Sequence, residues 1–477
     1  MLNRKSQVYT HISVYHMMST PSFTRLVLIF LILSNLLVNT IMTSGVKEMK
    51  GTKIDPYDIA VSIIYDTKTK EQLVKTNKEN EIIYLYHKGY WEHRGTIPII
   101  KTLIQSLLKG ITTKHKVREV LGHIRRETYF DPKEIEENRK YLCLENCVYD
   151  LDAGKTLPHS PDIFATVKLP INYDSSIPTT EIEKYVATLV KKSDILKLQE
   201  HLGDILSPHT ETKKLIYLWG DKDSGKTTLN RILQEIIGEH NYCSLSLKQL
   251  TDKFTNFGIY GKIANICSEM PYKLSNSNLE LLKTLTGGDT ITIQQKFKPA
   301  FEYRPIIKHI FGANGIPHID LKYADDALYG RFDFIFFPNR FKPDATFISR
   351  YTTERMKSAW LNWLIQGYER LKANHWIITR HLSVKQVEKL FRDAVLGEDL
   401  FLTWLMKNYT ASVGAYIDKS VMFKDYCKIL TKLSPEYCYT YEVFCRRVLG
   451  NPIISIGSAR KVIKGKQEQV FTGIKKR

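Results

Sequence analysis

Gly220 to Thr227 reads GDKDSGKT, and the residues on either side decide what kind of fold carries it. Ahead of it, Leu215–Trp219 (LIYLW) is an apolar run of strand length; behind it, Leu229, Ile232, Leu233, Ile236 and Ile237 recur at helical spacing. G-x-x-x-x-G-K-[ST] between a strand and a helix is the arrangement of a phosphate-binding loop. Its backbone N–H groups stand at the positive end of a helix and can wrap a β-phosphate, Lys226 can reach the β/γ oxygens, and Thr227 can ligate Mg²⁺. The stretch implies an α/β fold and a nucleoside triphosphate such as ATP. Gly220, Asp221, Lys222, Asp223, Ser224, Gly225, Lys226, Thr227 and Thr228 form the cofactor-binding set.

The chain around this loop has 477 residues, 43% of them hydrophobic, enough for sizeable cores in about three domains. Its 69 Lys and Arg against 50 Asp and Glu give +19, a balance that suits a polyanionic partner, nucleic acid foremost. Seven cysteines in so long a chain make no disulfide framework, and Cys143 with Cys147 has no second pair at zinc-ligand spacing, so no zinc is assigned. Leu26 to Met42 is strongly apolar and preceded by Arg4, Lys5 and Arg25, but it is polar at Ser34, Asn35, Asn39 and Thr40 and shorter than the roughly 20 residues that span a bilayer. Three readings stay open for residues 1–50: a membrane anchor, a buried or partner-binding helix, and an upstream extension ahead of a start at Met42 or Met49. The last is preferred, with the protein in the host cytoplasm.

Residues 51–178 read as a compact accessory α+β domain: Ile82–Tyr86 and Tyr90–Trp91 around His87–Gly89 make a hairpin, Ile99–Leu108 a helix, and Leu142–Leu151 with Gly154 begin another strand pair. Pro178–Thr180 marks a boundary, and residues 181–378 hold the ATPase. Within it, Lys262–Cys267 (KIANIC) is a second core strand that delivers Glu269 to its end, where a carboxylate can hold Mg²⁺ through water or accept a proton from the attacking water. Ile306–Phe311 is a third strand, followed by Asn314, whose neutral amide can bond the γ-phosphate and the attacking water. Between them, the alternating stretch Ile291–Phe301 with Lys296 and Lys298 suggests a hairpin with a positive tip that tracks a nucleic-acid backbone. After a polar linker around Arg380–Gln386, residues 390–477 are strongly basic. Val421–Leu433 and Tyr441–Leu449 read as helices, Ile453–Ile456 as a strand, Arg460–Lys466 as a basic turn and Val470–Ile474 as a strand: a C-terminal winged helix. Its second helix offers Arg446 and Arg447 to duplex DNA, and its wing Arg460, Lys461, Lys464 and Lys466.

The order GDKDSGKT, NICSEMP, LLKTLTGGDTITIQQKFKPAF, HIFGANGIP, YGRFDFIFFP resembles the superfamily 3 helicases of the viral and plasmid primase-helicase family, related to the poxvirus helicase-primase. YLCLENCVYDLDAGKTLPHSPDIF resembles the domain that precedes the ATPase in that family. The resemblance implies an AAA+-like P-loop ATPase core that self-associates into a ring, typically a hexamer, and pulls single-stranded nucleic acid through its centre. Matched position by position, Gly220, Gly225, Lys226, Thr227 and Thr228 fall on the family's nucleotide loop, Glu269 on its acidic motif, Asn314 on its sensor, Arg331 on its arginine finger, and Lys296 and Lys298 on its central hairpin. Two positions depart from the pattern: Ser268 stands where a second acid is common, and Gly330 where a second Arg often precedes the finger.

The resulting expectation is an ATP- and Mg²⁺-dependent DNA helicase or replication initiator of a virus, plasmid or integrated element. Lys226, Glu269, Asn314 and Arg331 are its catalytic set, and Thr227 and Glu269 its metal-holding residues. No primase-polymerase constellation is legible ahead of residue 180, so a primase or polymerase, where needed, is a separate partner. The rival is a nucleotide-switched DNA-binding initiator or regulator that assembles on duplex DNA without unwinding it.

Overall fold

The computed structural model describes residues 55–108, 112–397, 400–433, 441–463 and 465–477. The apolar stretch Leu26–Met42 and the wing residue Lys464 lie outside them. Among the described residues no helix is long and apolar enough to cross a membrane. The described residues divide into two compact units that part between Glu134 and Ile135.

The first unit is α+β. Asp55 caps helix α1 (Pro56–Ile64), its carboxylate accepting from the Tyr57 amide at 2.9 Å, with Pro56 where a missing N–H does no harm. Strands β1 (Val74–Asn77), β2 (Ile83–His87) and β3 (Tyr90–Glu92) precede helices α2 (Thr96–Leu108) and α3 (Lys114–Glu127) and the short β4 (Tyr129–Phe130). The sheet order is β3-β2-β1-β4, with only β1 and β4 parallel. Lys88 and Gly89 both have positive φ, the twist a two-residue hairpin turn needs between β2 and β3. Ile59, Ile63, Val74, Ile83, Ile100, Ile104, Val120 and Ile124 fill the core.

The second unit begins with a meander of β5 (Tyr141–Cys143), β6 (Val148–Asp150) and β7 (Lys155–Leu157). Leu142, Leu144, Tyr149, Leu151, Leu169 and Ile171 share one core with helix α4 (Thr180–Leu189), helix α5 (Ile195–Gly203) and the strands beyond. The compact units part at residues 134/135, and the meander's apolar face is buried by the helices and strands C-terminal to it.

The centre of this unit is a parallel sheet. Its strands are β8 (Leu215–Trp219), followed by helix α6 (Lys226–Ile237), then β9 (Tyr242–Cys243) and β10 (Ala264–Cys267). Helix α7 (Asn276–Gly287), the antiparallel pair β11 (Ile291–Ile293) and β12 (Phe301–Tyr303), and β13 (Lys308–Ala313) come next, and the short helix α8 (Asp326–Tyr329) leads into β14 (Phe332–Phe336). The order across the sheet is β14-β8-β13-β10-β9, every neighbouring pair parallel. Both faces are covered, so the strands read as apolar runs. Ile216, Leu218, Ile266, Ile310 and Ile335 face α4, α5, α6 and α9 (Glu354–Ala373), whereas Leu215, Tyr217, Phe311, Phe332 and Phe334 face α7 and α10 (Val384–Gly397).

One charged residue interrupts β14. Asp333, fully buried, accepts from Lys197 Nζ at 2.5 Å and His201 Nε2 at 2.8 Å on α5, and from the Leu382 amide at 3.2 Å. Burial alone would raise its pKa, but His201 and Lys197 hold it below the ordinary Asp value. Removing Lys197 and His201 together would strand the buried carboxylate, at a cost of roughly 3–5 kcal/mol. Leu382 lies in the stretch read as a polar linker; this bond, together with Val387 and Phe391 in the sheet's second core, makes that stretch and α10 part of the sheet's own layers.

The C-terminal part runs α11 (Leu400–Asn408), β15 (Tyr409–Asp418), α12 (Lys419–Leu433), α13 (Tyr441–Leu449), β16 (Gly457–Ile463) and β17 (Lys466–Lys476), with sheet order β15-β17-β16. Phe401, Trp404, Leu405, Tyr426, Phe444, Phe471 and Ile474 form its separate core. The two expected helices and the second strand stand. The expected strand Ile453–Ile456 does not: Asn451 Oδ1 accepts from the amides of both Ile453 and Ile454, a side-chain turn that consumes the ladder donors. The strand begins at Gly457 instead, which puts Arg460 and Lys461 in β16 and leaves only its end and the start of β17 for the turn.

Candidate nucleotide and nucleic-acid site

Every parallel strand ends at the same edge of the sheet, and the loop from Gly220 to Gly225 joins β8 to α6 there. Gly225 has φ +92, and a Cβ on it would meet Leu189 Cδ2 at 2.7 Å; a Cβ on Gly220 would meet the Phe337 carbonyl oxygen at 2.4 Å. Only glycine fits at either place. α6 has no side-chain cap, so its first-turn amides at Lys226, Thr227 and Thr228 face the loop unclaimed by a capping residue, the condition for anion binding at a helix N-terminus. The Lys226 amine is buried in the loop, donating to Gly220 O at 2.6 Å, Asp221 O at 2.9 Å and Ser224 Oγ at 2.9 Å. Burial lowers its pKa while Asp221 and Asp223 oppose the shift. This cradle of amides around one buried amine fits a polyphosphate. Thr227, exposed in the first turn, adds a hydroxyl, and Glu269, exposed beyond β10, a carboxylate; oxygen donors of these kinds suit Mg²⁺.

β13 lies between β8 and β10, with Ala313 opposite Trp219 and Phe311 opposite Cys267. Asn314 therefore emerges beside the start of the loop and Glu269 on its other flank. The two segments are tied together further out: His318 N donates to Tyr272 O at 2.7 Å and Leu274 N to His318 O at 2.9 Å, and the Tyr272 and His318 rings lie 4.3 Å apart. Ser268, in the place where a second acid is common, accepts from Asn230 Nδ2 on α6 at 3.1 Å. Asn230, almost fully buried, was not read from sequence; an amide inside an otherwise apolar helix face is the signal that marks it.

Arg331 is not brought to this edge. It precedes β14, its carbonyl oxygen accepting from the Leu215 amide at the start of β8, so it stands at the opposite end of the sheet, roughly 15–20 Å of strand away from the loop. Its side chain, half-buried near Gly287, makes no ion pair among the described residues. The β11–β12 hairpin also springs from this end, between α7 and β13, with Ile293 opposite Phe301. Its tip carries Lys296 and Lys298, both exposed, and between them Phe297, 93% exposed at φ +66, with the Lys296 amine 5.1 Å from the ring centre. An aromatic ring held in water between two cations was missed in the sequence, where KFK already places it.

Of the basic C-terminal residues, Arg446 is exposed on α13, and Arg460, Lys461 and Lys466 are exposed on β16 and β17. Lys461 lies over the Tyr416 ring at 4.0 Å. Arg447 differs: its guanidinium stacks on Phe401 at 4.9 Å, so it packs α13 onto α11 rather than facing outward with Arg446.

Residues 59–191 match the "D5 N terminal like" family, and residues 218–331 match a family of unknown function, DUF5906. The protein L207/L206 of Acanthamoeba polyphaga mimivirus, whose name gives it as a candidate helicase, is 26% identical over 271 residues, covering 54% of this chain and 26% of its own. The protein 184R of Invertebrate iridescent virus 6, named in the same way, is 25% identical over 249 residues, covering 47% of this chain and 24% of its own. The chain spans about a quarter of the length of these curated relatives. Two apo structures of the NrS-1 C-terminal region are similar at 14% identity with TM-scores of 0.45 and 0.49, each covering 88% of this chain and 100% of the solved one. The family match and the viral relatives, taken with the order of the motifs, support a viral primase-helicase-like protein.

Proposed function

We propose that the chain is an ATP-dependent, ring-forming DNA helicase or replication initiator with an AAA+-like P-loop core and a C-terminal winged helix. The observation that carries this is the split of its charged groups between the two ends of one sheet. Lys226, Glu269 and Asn314 share the phosphate-loop edge, while Arg331 is fixed at the other end and cannot reach the chain's own loop. An arginine so placed serves a loop only across an interface, which a ring of copies repeats at every joint. The loop edge binds and orients the triphosphate: the α6 amides and Lys226 hold its oxygens, Asn314 and Glu269 position the attacking water, and Glu269 takes its proton. Mg²⁺, held by Thr227 and Glu269, would neutralise charge between the phosphates.

At the far end the hairpin tip offers Lys296 and Lys298 to a phosphate backbone and Phe297 to a base, a combination suited to single strands. The helix-strand-helix-helix-strand-strand order from α11 to β17 supports the winged-helix reading, with Arg446, Arg460, Lys461 and Lys466 on its open surface for duplex DNA. A forked-duplex strand-displacement assay with ATP and Mg²⁺ tests this against an initiator that does not unwind. Displacement that stops in Lys226→Ala supports the helicase; ATP hydrolysis and duplex binding without displacement support the rival.

A further inference from the structure

Beyond β14 the chain turns back over the phosphate loop, and past Pro338 the residues that do so lie outside the motifs. Phe337 N donates to Trp219 O at 2.8 Å, extending the ladder by one bond, and Pro338, lacking an N–H, ends it. Asn339 Nδ2 then donates to Thr188 O at the end of α4 at 2.8 Å, and Phe341 N donates to Asp223 O in the loop itself at 2.9 Å. The Phe341 ring lies against Gly225, 3.3 Å from where a Cβ would stand. Residues 337–341 are thus a strap fastened to the last residue of β8 at one end and to the phosphate loop at the other, and Arg340 is carried on it.

Arg340 Nη2 meets Asp221 Oδ2 at 2.8 Å. Both side chains are 71% exposed, and an ion pair so placed adds little to stability. Its position is the informative feature. The same Asp221 accepts the Lys226 amine on its backbone oxygen at 2.9 Å, so one residue separates the buried amine from the exposed guanidinium. A loop shaped to hold polyphosphate here carries two carboxylates, Asp221 and Asp223, which repel that ligand, and Arg340 offsets the first of them. A guanidinium can hold phosphate oxygens in the same two-pronged geometry in which it holds a carboxylate, so one can replace the other.

We infer that Arg340 is a nucleotide-contacting arginine supplied by the chain to its own loop, with Asp221 as the counter-ion it exchanges for a phosphate of the triphosphate. This rests on the phosphate-loop reading and adds to it a residue in cis, distinct from Arg331. The test is equilibrium binding of fluorescently labelled ATP and ADP, with Mg²⁺, to the full chain and to Arg340→Ala, Arg340→Lys, Asp221→Ala and Lys226→Ala, with melting temperatures to confirm folding. Arg340→Ala should weaken ATP by about ten- to a hundredfold, as loss of one hydrogen bond to a charged group does, and ADP by less. Arg340→Lys should recover part of the loss. Asp221→Ala breaks the same ion pair but keeps the loop backbone and removes the repelling charge, so it should weaken ATP binding much less than Arg340→Ala does. Equal weakening in Arg340→Ala and Asp221→Ala would mean that the pair only shapes the loop and would overturn the inference, as would unchanged binding in Arg340→Ala. If the unaltered chain binds neither nucleotide, or Lys226→Ala binds like it, the phosphate-loop reading falls and takes the inference with it.

Discussion

The two ends of the parallel sheet are built in opposite ways. At the phosphate-loop edge the polar groups are tied to one another: Lys226 to Gly220, Asp221 and Ser224, Asn230 to Ser268, and the Asn314 and Glu269 segments through Tyr272 and His318. At the other end Arg331 has no ion-pair partner among the described residues, and Lys296, Phe297 and Lys298 stand in water on a short hairpin. One edge is tied together by its own hydrogen bonds; the other presents charged and aromatic groups without ion-pair partners among the described residues.

The largest effect expected from breaking this contrast is at the first edge. Lys226→Ala should lose ATP turnover by a factor of about a hundred or more, equivalent to roughly 3 kcal/mol in the barrier, with the fold intact. Glu269→Gln should still bind ATP but not hydrolyse it; steady-state phosphate release and labelled-ATP binding separate the two. Normal hydrolysis in both would dissolve the first edge as a site.

A second effect lies in β13, the strand that runs between the two ends. His309 is fully buried with neither ring nitrogen hydrogen-bonded among the described residues, and burial, helped by Lys308, brings its pKa from 6.5 down to about 4. Above pH 6.5 it is neutral folded or unfolded and contributes no pH dependence. Between 6.5 and about 4 the unfolded chain takes a proton that the folded chain refuses, so stability falls as pH falls, by about 3 kcal/mol in all. His309→Phe should flatten the loss of melting temperature over that window, and an unchanged slope would assign the acid sensitivity elsewhere.

The smallest effect is at the second end. Phe297→Ala should weaken single-strand binding by about 1–3 kcal/mol, and Lys296→Ala with Lys298→Ala should reduce the slope of log affinity against log salt by about 0.7 for each phosphate no longer neutralised. ATP binding should be untouched, as read by parallel titrations with oligonucleotide and labelled nucleotide. A change in ATP binding would join two ends that the fold keeps apart.

Much of the first edge was legible because it is local. GDKDSGKT lies between LIYLW and an amphipathic helix, and KIANIC and IIKHIF are each followed closely by the polar residue they deliver, Glu269 and Asn314. What could not be read depends on chain segments meeting from afar. Arg340 reaches Asp221 only because the strap returns over the loop, and Asp333 is an ordinary charged position until Lys197 and His201 close on it. β15 was missed because Gly414 at positive φ and a register shift between Ala411 and Tyr416 break its alternation. Arg447 resembles Arg446 in the sequence, and only the packing of α13 shows that it covers Phe401.

The central claim is that the halves of the site come from different copies, and mixing two variants tests it most directly. Arg331→Ala keeps a good loop and Lys226→Ala keeps a good arginine, and each alone should be nearly inactive, since a finger contributes about 10³ or more in rate in phosphate-loop enzymes. Mixed and assembled on DNA, they should recover measurable ATPase at joints where the intact loop of one copy meets the intact Arg331 of the next, and Arg331→Ala added to the unaltered protein should inhibit more than dilution does. Mixed assemblies that form, yet show neither recovery nor excess inhibition, would contradict the claim and leave Arg331 as a structural residue at the start of β14.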